Sequence, residues 1–243
     1  FGRGLVATPN DFGFPGERPS HPELLDWLAA DLIEHGWKLK RLHKLIMLSS
    51  VYMQSGDFDE QRASIDRENV LLWRRAPRRL EGEAIRDAML SVSGQLDDRM
   101  YGPGTLDQNM QRRSVYFFIK RSQLIPSMML FDWPEHLVSI GQRSSTTIAP
   151  QALMFMNSPE GRTCAEALVQ NIENQDADET LAIAYQRIYS RDATSQERVL
   201  AQQFLNQQQE LYRKSHSEKK ATQLALTDLC QALLSANEFC YVD

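Results

Sequence analysis

Arginine and hydroxyl side chains give the densest chemical signal in this chain. Arg112, Arg113 and Arg121 bracket the apolar run Ser114–Lys120 (SVYFFIK), and Arg143, Ser144, Ser145, Thr146 and Thr147 follow in one loop. Guanidinium forks combined with hydroxyl donors bind sulfate, carboxylate or phosphate groups well. If run and loop are neighbours, Arg121, Arg143, Thr146 and Thr147 would line a site for an anionic ligand. The competing reading pairs the arginines with Asp132, Glu135 and nearby acids and engages the hydroxyls on loop backbone. His21 joins the candidates because it falls in the first turn of an expected helix. A helix N-terminus disfavours the imidazolium, so a neutral acceptor role is reasonable there beside a purely structural one.

Other chemistries find little support. The five histidines, His21, His35, His43, His136 and His216, form no HxH or HExxH pair, so no metal site is assigned. GxSxG, P-loop and GxGxxG patterns do not occur, and Gly2-Arg3-Gly4 and Gly102-Pro103-Gly104 read as turns. The three cysteines, Cys164, Cys230 and Cys240, make neither CxxC nor CxxCH, which excludes a zinc ribbon and a haem attachment in this segment. Cys164 and Cys230 fall on apolar helix faces and read as small buried hydrophobes. A Cys230–Cys240 disulfide requires the chain to turn back after Asn237. Trp27, Trp37, Trp73 and Trp133 would offer a sugar-stacking platform if exposed, but three of them sit in or beside apolar helical patterns that favour packing. No recognisable catalytic motif is present, and no catalytic residue is assigned.

The elements that would position these residues are helices. Leu24, Leu25, Leu28 and Leu32 form a stripe after Ser20, with Pro22 in the first turn, Glu23 at capping-box spacing and Gly36 as a left-handed end. Leu42, Leu45, Ile46, Ser49 and Met53 repeat the helical period opposite Lys40, Arg41 and Lys44. These two helices, within Ser20–Tyr52, are expected to organise the packing of the rest. Gly56–Ser64 reads as a loop and Asp66–Arg75 as a short helix or turn. Ile85, Ala88, Met89, Val92 and Leu96 mark another helix, and Ser114–Lys120 is the one strand candidate. Pro150 opens a short helix and Ser158-Pro159 the next. The last third carries helices capped by Asp176, by Thr194 with Glu197, and by Ser215 with Glu218. The fold expected is mainly α: a multi-helix, bundle-like domain with at most a small strand pair around 114–120. Residues 1–19, rich in Gly and Pro, read as an arm or linker, and 20–243 as a single α-helical domain with a sub-boundary conceivable near 157.

Composition bounds the function classes. The chain has 243 residues, 42% hydrophobic and 24% charged, with a formal charge of −5, which gives nucleic acid no electrostatic invitation. No apolar run reaches the length of a membrane span. The opening FGRGLVATPNDFG has neither the charged nor the apolar region of a signal peptide and reads as a chain cut from something longer.

FGRGLVATPNDFG, SHPELLDWLA, GWKLKRLHKLIMLSSVY, RRLEGEAIRDAML, FDWPE, RSSTTIAPQALMFMNSPE and LLSANEFCYVD together resemble planctomycete-specific domain one. This is the C-terminal domain of unknown function of large planctomycete cytochrome c-associated proteins, and the resemblance spans nearly the whole chain. It implies an exported periplasmic or cell-envelope protein in bacteria rich in sulfatases and polysaccharide breakdown. It implies haem c in the missing N-terminal part of the parent and no cofactor in this segment. The implied partners are the other domains of the parent chain, with polysaccharide as the alternative. No catalytic residue comes with the resemblance. The matching positions Arg78, Arg79, Glu81 and Arg86 look like a network that fixes a helix, and His21 and Arg143 also fall in matching motifs. Cys240 departs from the pattern, where a large apolar residue would be usual. A non-catalytic scaffold module is the first functional expectation; an enzyme or binding domain for anionic or sulfated polysaccharide is the second.

Overall fold

A computed structural model of the chain describes residues 1–134, 139–172 and 176–242. Glu135, His136 and Asp243, which figured in the sequence reading, lie outside the described residues. The chain forms two compact units, one built mainly from Phe1–Arg78 and the other from Arg79–Val138 and Arg143–Tyr241. The division at Arg78/Arg79 differs from both boundaries considered from sequence. The fold is mainly α, as expected.

The first unit holds α1 (Pro22–Glu34), α2 (Leu39–Met47) and α3 (Glu60–Ile65). Pro22 starts α1, and Gly36 ends it with φ +67°, the left-handed step expected of it. Ser20 does not cap α1. His21 occupies the cap without a side-chain bond, because the Ser20 hydroxyl donates to the Leu5 carbonyl at 3.3 Å and meets His21 Nδ1 at 2.9 Å. The expected loop before Ser64 contains α3, capped by the Asp59 carboxylate, which accepts from the Arg62 amide at 3.0 Å. Asp66 then accepts from the Val70 and Leu71 amides and holds the following residues in turns instead of a helix. Among the described residues of this unit only Asp31 is buried. It pairs with Arg41 of α2, and His35 Nδ1 lies 3.4 Å from its carboxylate. The rest of the unit is fastened by aromatic and cation–π contacts: Phe1 edge-on to Tyr52, Arg75 over Tyr52 at 4.2 Å, and Arg74 between Phe58 and Trp73.

The second unit carries the core. Here belong α4 (Gly82–Val92), α5 (Pro126–Met129), α6 (Ala149–Asn157), α7 (Pro159–Ile172), α8 (Ala177–Tyr189), α9 (Ser195–Arg213), α10 (Glu218–Leu234) and α11 (Asn237–Cys240). α10 packs on α7 and α9. Ala165, Leu168 and Val169 of α7 and Ala221, Ala225 and Cys230 of α10 are fully buried, and the small residues let the two helices approach closely. The expected reliance on Ser20–Tyr52 as organiser is therefore corrected: the core of this unit forms around α7 and α10. All three cysteines are buried free thiols, so the Cys230–Cys240 disulfide does not form. Burial pushes the Cys230 thiol up to about 12. Asp176 caps α8 and the Thr194–Glu197 box caps α9, both as expected. The box expected of Ser215 and Glu218 does not form: Ser217 holds the N-cap position of α10 without a side-chain bond, and the Ser215 hydroxyl turns to His216 Nδ1.

The strand pair lies elsewhere than expected. β1 (Arg78–Arg79) pairs antiparallel with β2 (Tyr241–Val242). In the run Ser114–Lys120, Ser114–Tyr116 instead forms a 3-10 turn, because the Ser114 amide is taken by Asp87 Oδ1 at 2.6 Å and its hydroxyl accepts from Arg86 at 3.2 Å. Only isolated bridges follow among the described residues: Thr105 exchanges backbone bonds with Tyr116 and Phe118, and Lys120 pairs with Gln123 in a tight turn. Of the apolar residues of the run, Phe117 is buried while Val115, Phe118 and Ile119 face solvent.

Candidate functional site

One cluster of polar groups in the second unit centres on Arg79 and Asp132. Gly82 starts α4 against Phe131; a Cβ there would lie 2.9 Å from that of Phe131, so only glycine allows this approach. The turn after α5 sets Asp132 in the left-handed region at φ 62°. Its carboxylate accepts from Arg79 at 2.5 Å, and from the Thr146 amide and hydroxyl at 2.8 Å each. Arg79 is almost wholly buried, donates also to the Leu80 carbonyl at 3.0 Å and stacks over Phe131. Gln151 completes the cluster, donating to the Leu130 carbonyl at 3.0 Å. A buried guanidinium held this way organises three segments of chain, residues 79–82, 130–132 and 146–151.

The residues singled out from sequence are distributed as follows. Thr146 is bound to Asp132, and the Thr147 hydroxyl lies 2.9 Å from the Tyr241 hydroxyl. Arg143 reaches back to Glu81 at 3.0 Å and Glu83 at 2.9 Å. Arg121 is exposed in a turn and forms no ion pair among the described residues. His21, half-buried, belongs to the first unit. Arg113 reaches Asp87 at 3.4 Å, and Arg112 lies over the Tyr116 ring at 3.5 Å and donates to the Arg99 carbonyl. The structure thus brings Arg143 and Thr146 onto the chain's own carboxylates and Thr147 onto the Tyr241 hydroxyl. Of the network expected of Arg78, Arg79, Glu81 and Arg86, Arg79 pairs with Asp132, Glu81 with Arg143, and Arg86 donates to the Met110 and Arg112 carbonyls; these are three separate sets of contacts, and Arg78 is exposed.

A cavity of about 290 Å³ opens beside this cluster in the same unit. Its depth is apolar: Ile85, Met89, Met128, Phe131 and Phe155. Gln108, Asn109, Glu160 and Thr163, all exposed, form the rim. Cys164 is on the wall, its thiol pushed up by burial and its Sγ 3.6 Å from Gln95 Oε1. Desolvation lowers the Arg86 guanidinium, which its carbonyl partners keep bound in place. Sequence reasoning missed this cavity. Four of the nine methionines, Met89, Met110, Met128 and Met154, line it from four separate segments, so no local spacing announces it.

Among the described residues no cluster of His, Cys, Asp or Glu could hold a metal ion, and no helix is long and apolar enough to cross a membrane. Neither a curated protein nor a solved structure matches the chain. A family model described as PSD1, protein of unknown function (DUF1553), matches residues 1–205, and the chain belongs to that family.

Proposed function

We propose that the chain is a non-catalytic interaction module of a larger, haem-associated protein of the bacterial cell envelope. The observation that carries this reading is the surface of the first unit. Trp27, Ile33, Trp37, Leu39, Leu48 and Met53 are all exposed there, while a single carboxylate is buried. Exposed apolar and aromatic residues at this density mark surfaces that other macromolecules cover. The engagement of Arg143, Thr146 and Thr147 on the chain's own groups supports the same reading, since it leaves them a fastening role. The partners are the other domains of the parent chain, where the haem would reside.

The test is calorimetric titration of this chain with the remaining domains of its parent, added in trans. Saturable binding that disappears in a Trp27→Asp, Trp37→Asp double variant with unchanged circular dichroism is the expected result. No binding, or binding indifferent to both changes, would sink the proposal.

One observation favours a second reading, binding of anionic or sulfated polysaccharide. Trp37 is 69% exposed and Trp27 53% exposed, against the expectation that they pack, so their indole faces are open to stacking on sugar rings. A glycan that raises the melting temperature of the wild type but not of Trp37→Ala would transfer the function to that reading.

A further inference from the structure

We propose that the methionine-lined cavity of the second unit binds a small uncharged aromatic ligand of about two fused rings, with a hydrogen-bonding group at one edge. The inference stands apart from the interaction surface, which belongs to the other unit.

Size comes first. Native interiors hold few voids larger than a water molecule. This cavity measures about 290 Å³. That is about twice the roughly 150 Å³ of an apolar cavity known to take benzene, which sets the ligand at two rings instead of one. The lining gives the shape and class. Met89 and Met128 lie deep, Met110 and Met154 nearer the surface, and Phe131 and Phe155 stack tilted against each other at 5.3 Å. Thioethers adjust their rotamers to irregular guests and make favourable contacts with aromatic rings, so these walls suit a flat ring system better than a polar or branched molecule.

Charge decides the rest. Among the described residues Arg86 is the one cation on the lining, and its guanidinium already donates to the Met110 and Arg112 carbonyls and to the Ser114 hydroxyl. Three of its five N–H donors are thereby taken by the chain's own acceptors, which weakens its hold on a ligand anion. Glu160, exposed at the rim, repels anions approaching the mouth. The Cys164 thiol stays protonated in its buried place and presents a neutral wall. At the rim the Gln108 and Asn109 carboxamides can both donate and accept, which suits a carbonyl or hydroxyl at the ligand's edge. Apolar walls with a few polar groups at one end are the usual build of a small-molecule site.

The experiment uses the whole chain and two naphthalene probes that differ in one charge: neutral 1-N-phenylnaphthylamine and anionic 8-anilinonaphthalene-1-sulfonate. Thr163→Trp and Gln108→Trp place an indole across the mouth from exposed positions, so that at least one plugged variant should retain the fold. The expected result is saturable fluorescence with the neutral probe at one molecule per chain. Each plugged variant of unchanged melting temperature should bind about tenfold more weakly or not at all, and the sulfonate should bind about tenfold more weakly than the neutral probe. Absence of saturable neutral-probe binding, or equal binding by the plugged variants, overturns the site. Equal affinity for the sulfonate, lost on plugging, overturns the uncharged class.

Discussion

The two units of this chain use the same sequence device and end in opposite states. α1 and α2 carry helical apolar stripes, as α7 and α10 do, yet Leu168 of α7 is fully buried while in the stripe of α1 Leu25, Leu28 and Leu32 are only half-buried and Leu24 is 41% exposed. In the second unit the stripes close on one another around small residues, and burial of apolar area supplies the stability. In the first, the fastening is local and polar: Asp31 with Arg41, Asp66 with the amides that follow it, arginines against rings. Periodicity shows which side chains share a face. It does not show whether that face will be covered.

The sharpest way to break this contrast is at Asp132. Asp132→Ala leaves the buried Arg79 without its counter-ion and should destabilise the second unit by about 3–5 kcal/mol in urea denaturation. A loss below about 1 kcal/mol would mean that Arg79 finds water or another acceptor and that the cluster is no keystone. Next come paired truncations. Leu168→Ala removes a fully buried side chain and should lose about 2–5 kcal/mol. Trp27→Ala, at an exposed position, should stay within about 0.5 kcal/mol despite the larger deletion. Comparable losses at both sites would erase the distinction between a packed unit and an open one.

What was legible in the sequence follows the same line. Caps that depend on residues three apart, Thr194 with Glu197 and Ser158 with Gly161, were readable because the whole bond lies within one turn. Gly36 was readable for the same reason. Ser20 misled because its hydroxyl is claimed by Leu5, fifteen residues away, and the run Ser114–Lys120 misled because Asp87 takes its first amide. At the candidate site Arg79 and Glu81 stood out in a motif. Their pairing with Asp132 and Arg143, across separations of 53 and 62 residues, is a property of the fold. The cavity gave no signal, since its methionines come from four segments and each looks like ordinary core in its own.

A smaller effect is expected in acid. Arg191 grips Glu197 with two bonds of 2.6 and 2.9 Å and Glu238 with bonds of 2.6 and 2.7 Å, tying α9 to α11. Arg191 and the Thr194 amide hold the Glu197 carboxyl down to about 2 from an ordinary 4.5. The folded state thus keeps this carboxylate ionised at pH values where the unfolded chain has taken up a proton. Its contribution is complete above about pH 4.5 and is lost as pH falls toward 2. For a half-exposed pair the screened worth is about 1 kcal/mol. Urea midpoints from pH 6 down to 2.5 should fall more steeply for wild type than for Glu197→Gln, and parallel curves would refute the linkage.

The smallest effect tests both units with one chemical change made in opposite directions. Ser190 ends α8 in the left-handed region at φ 58°, donating its amide to the Gln186 carbonyl at 3.0 Å. A Cβ is disfavoured there by roughly 1–2 kcal/mol, and glycine removes that strain while adding about 0.4–1 kcal/mol of unfolded-chain entropy. Ser190→Gly should therefore stabilise the second unit by about 0.5 kcal/mol, a rise in melting temperature of about 1–2 °C. Gly36 ends α1 at φ +67° with nothing within 4 Å of where its Cβ would be. Gly36→Ser should bring the same strain without a clash, and hydrogen exchange should show it as faster opening of α1 amides alone. If Gly36→Ser also speeds exchange in α7 and α10, the two units unfold as one. Their separate modes of fastening would then feed a shared cooperative transition, because strain in a unit that opens independently has no route to amides buried in the other's core.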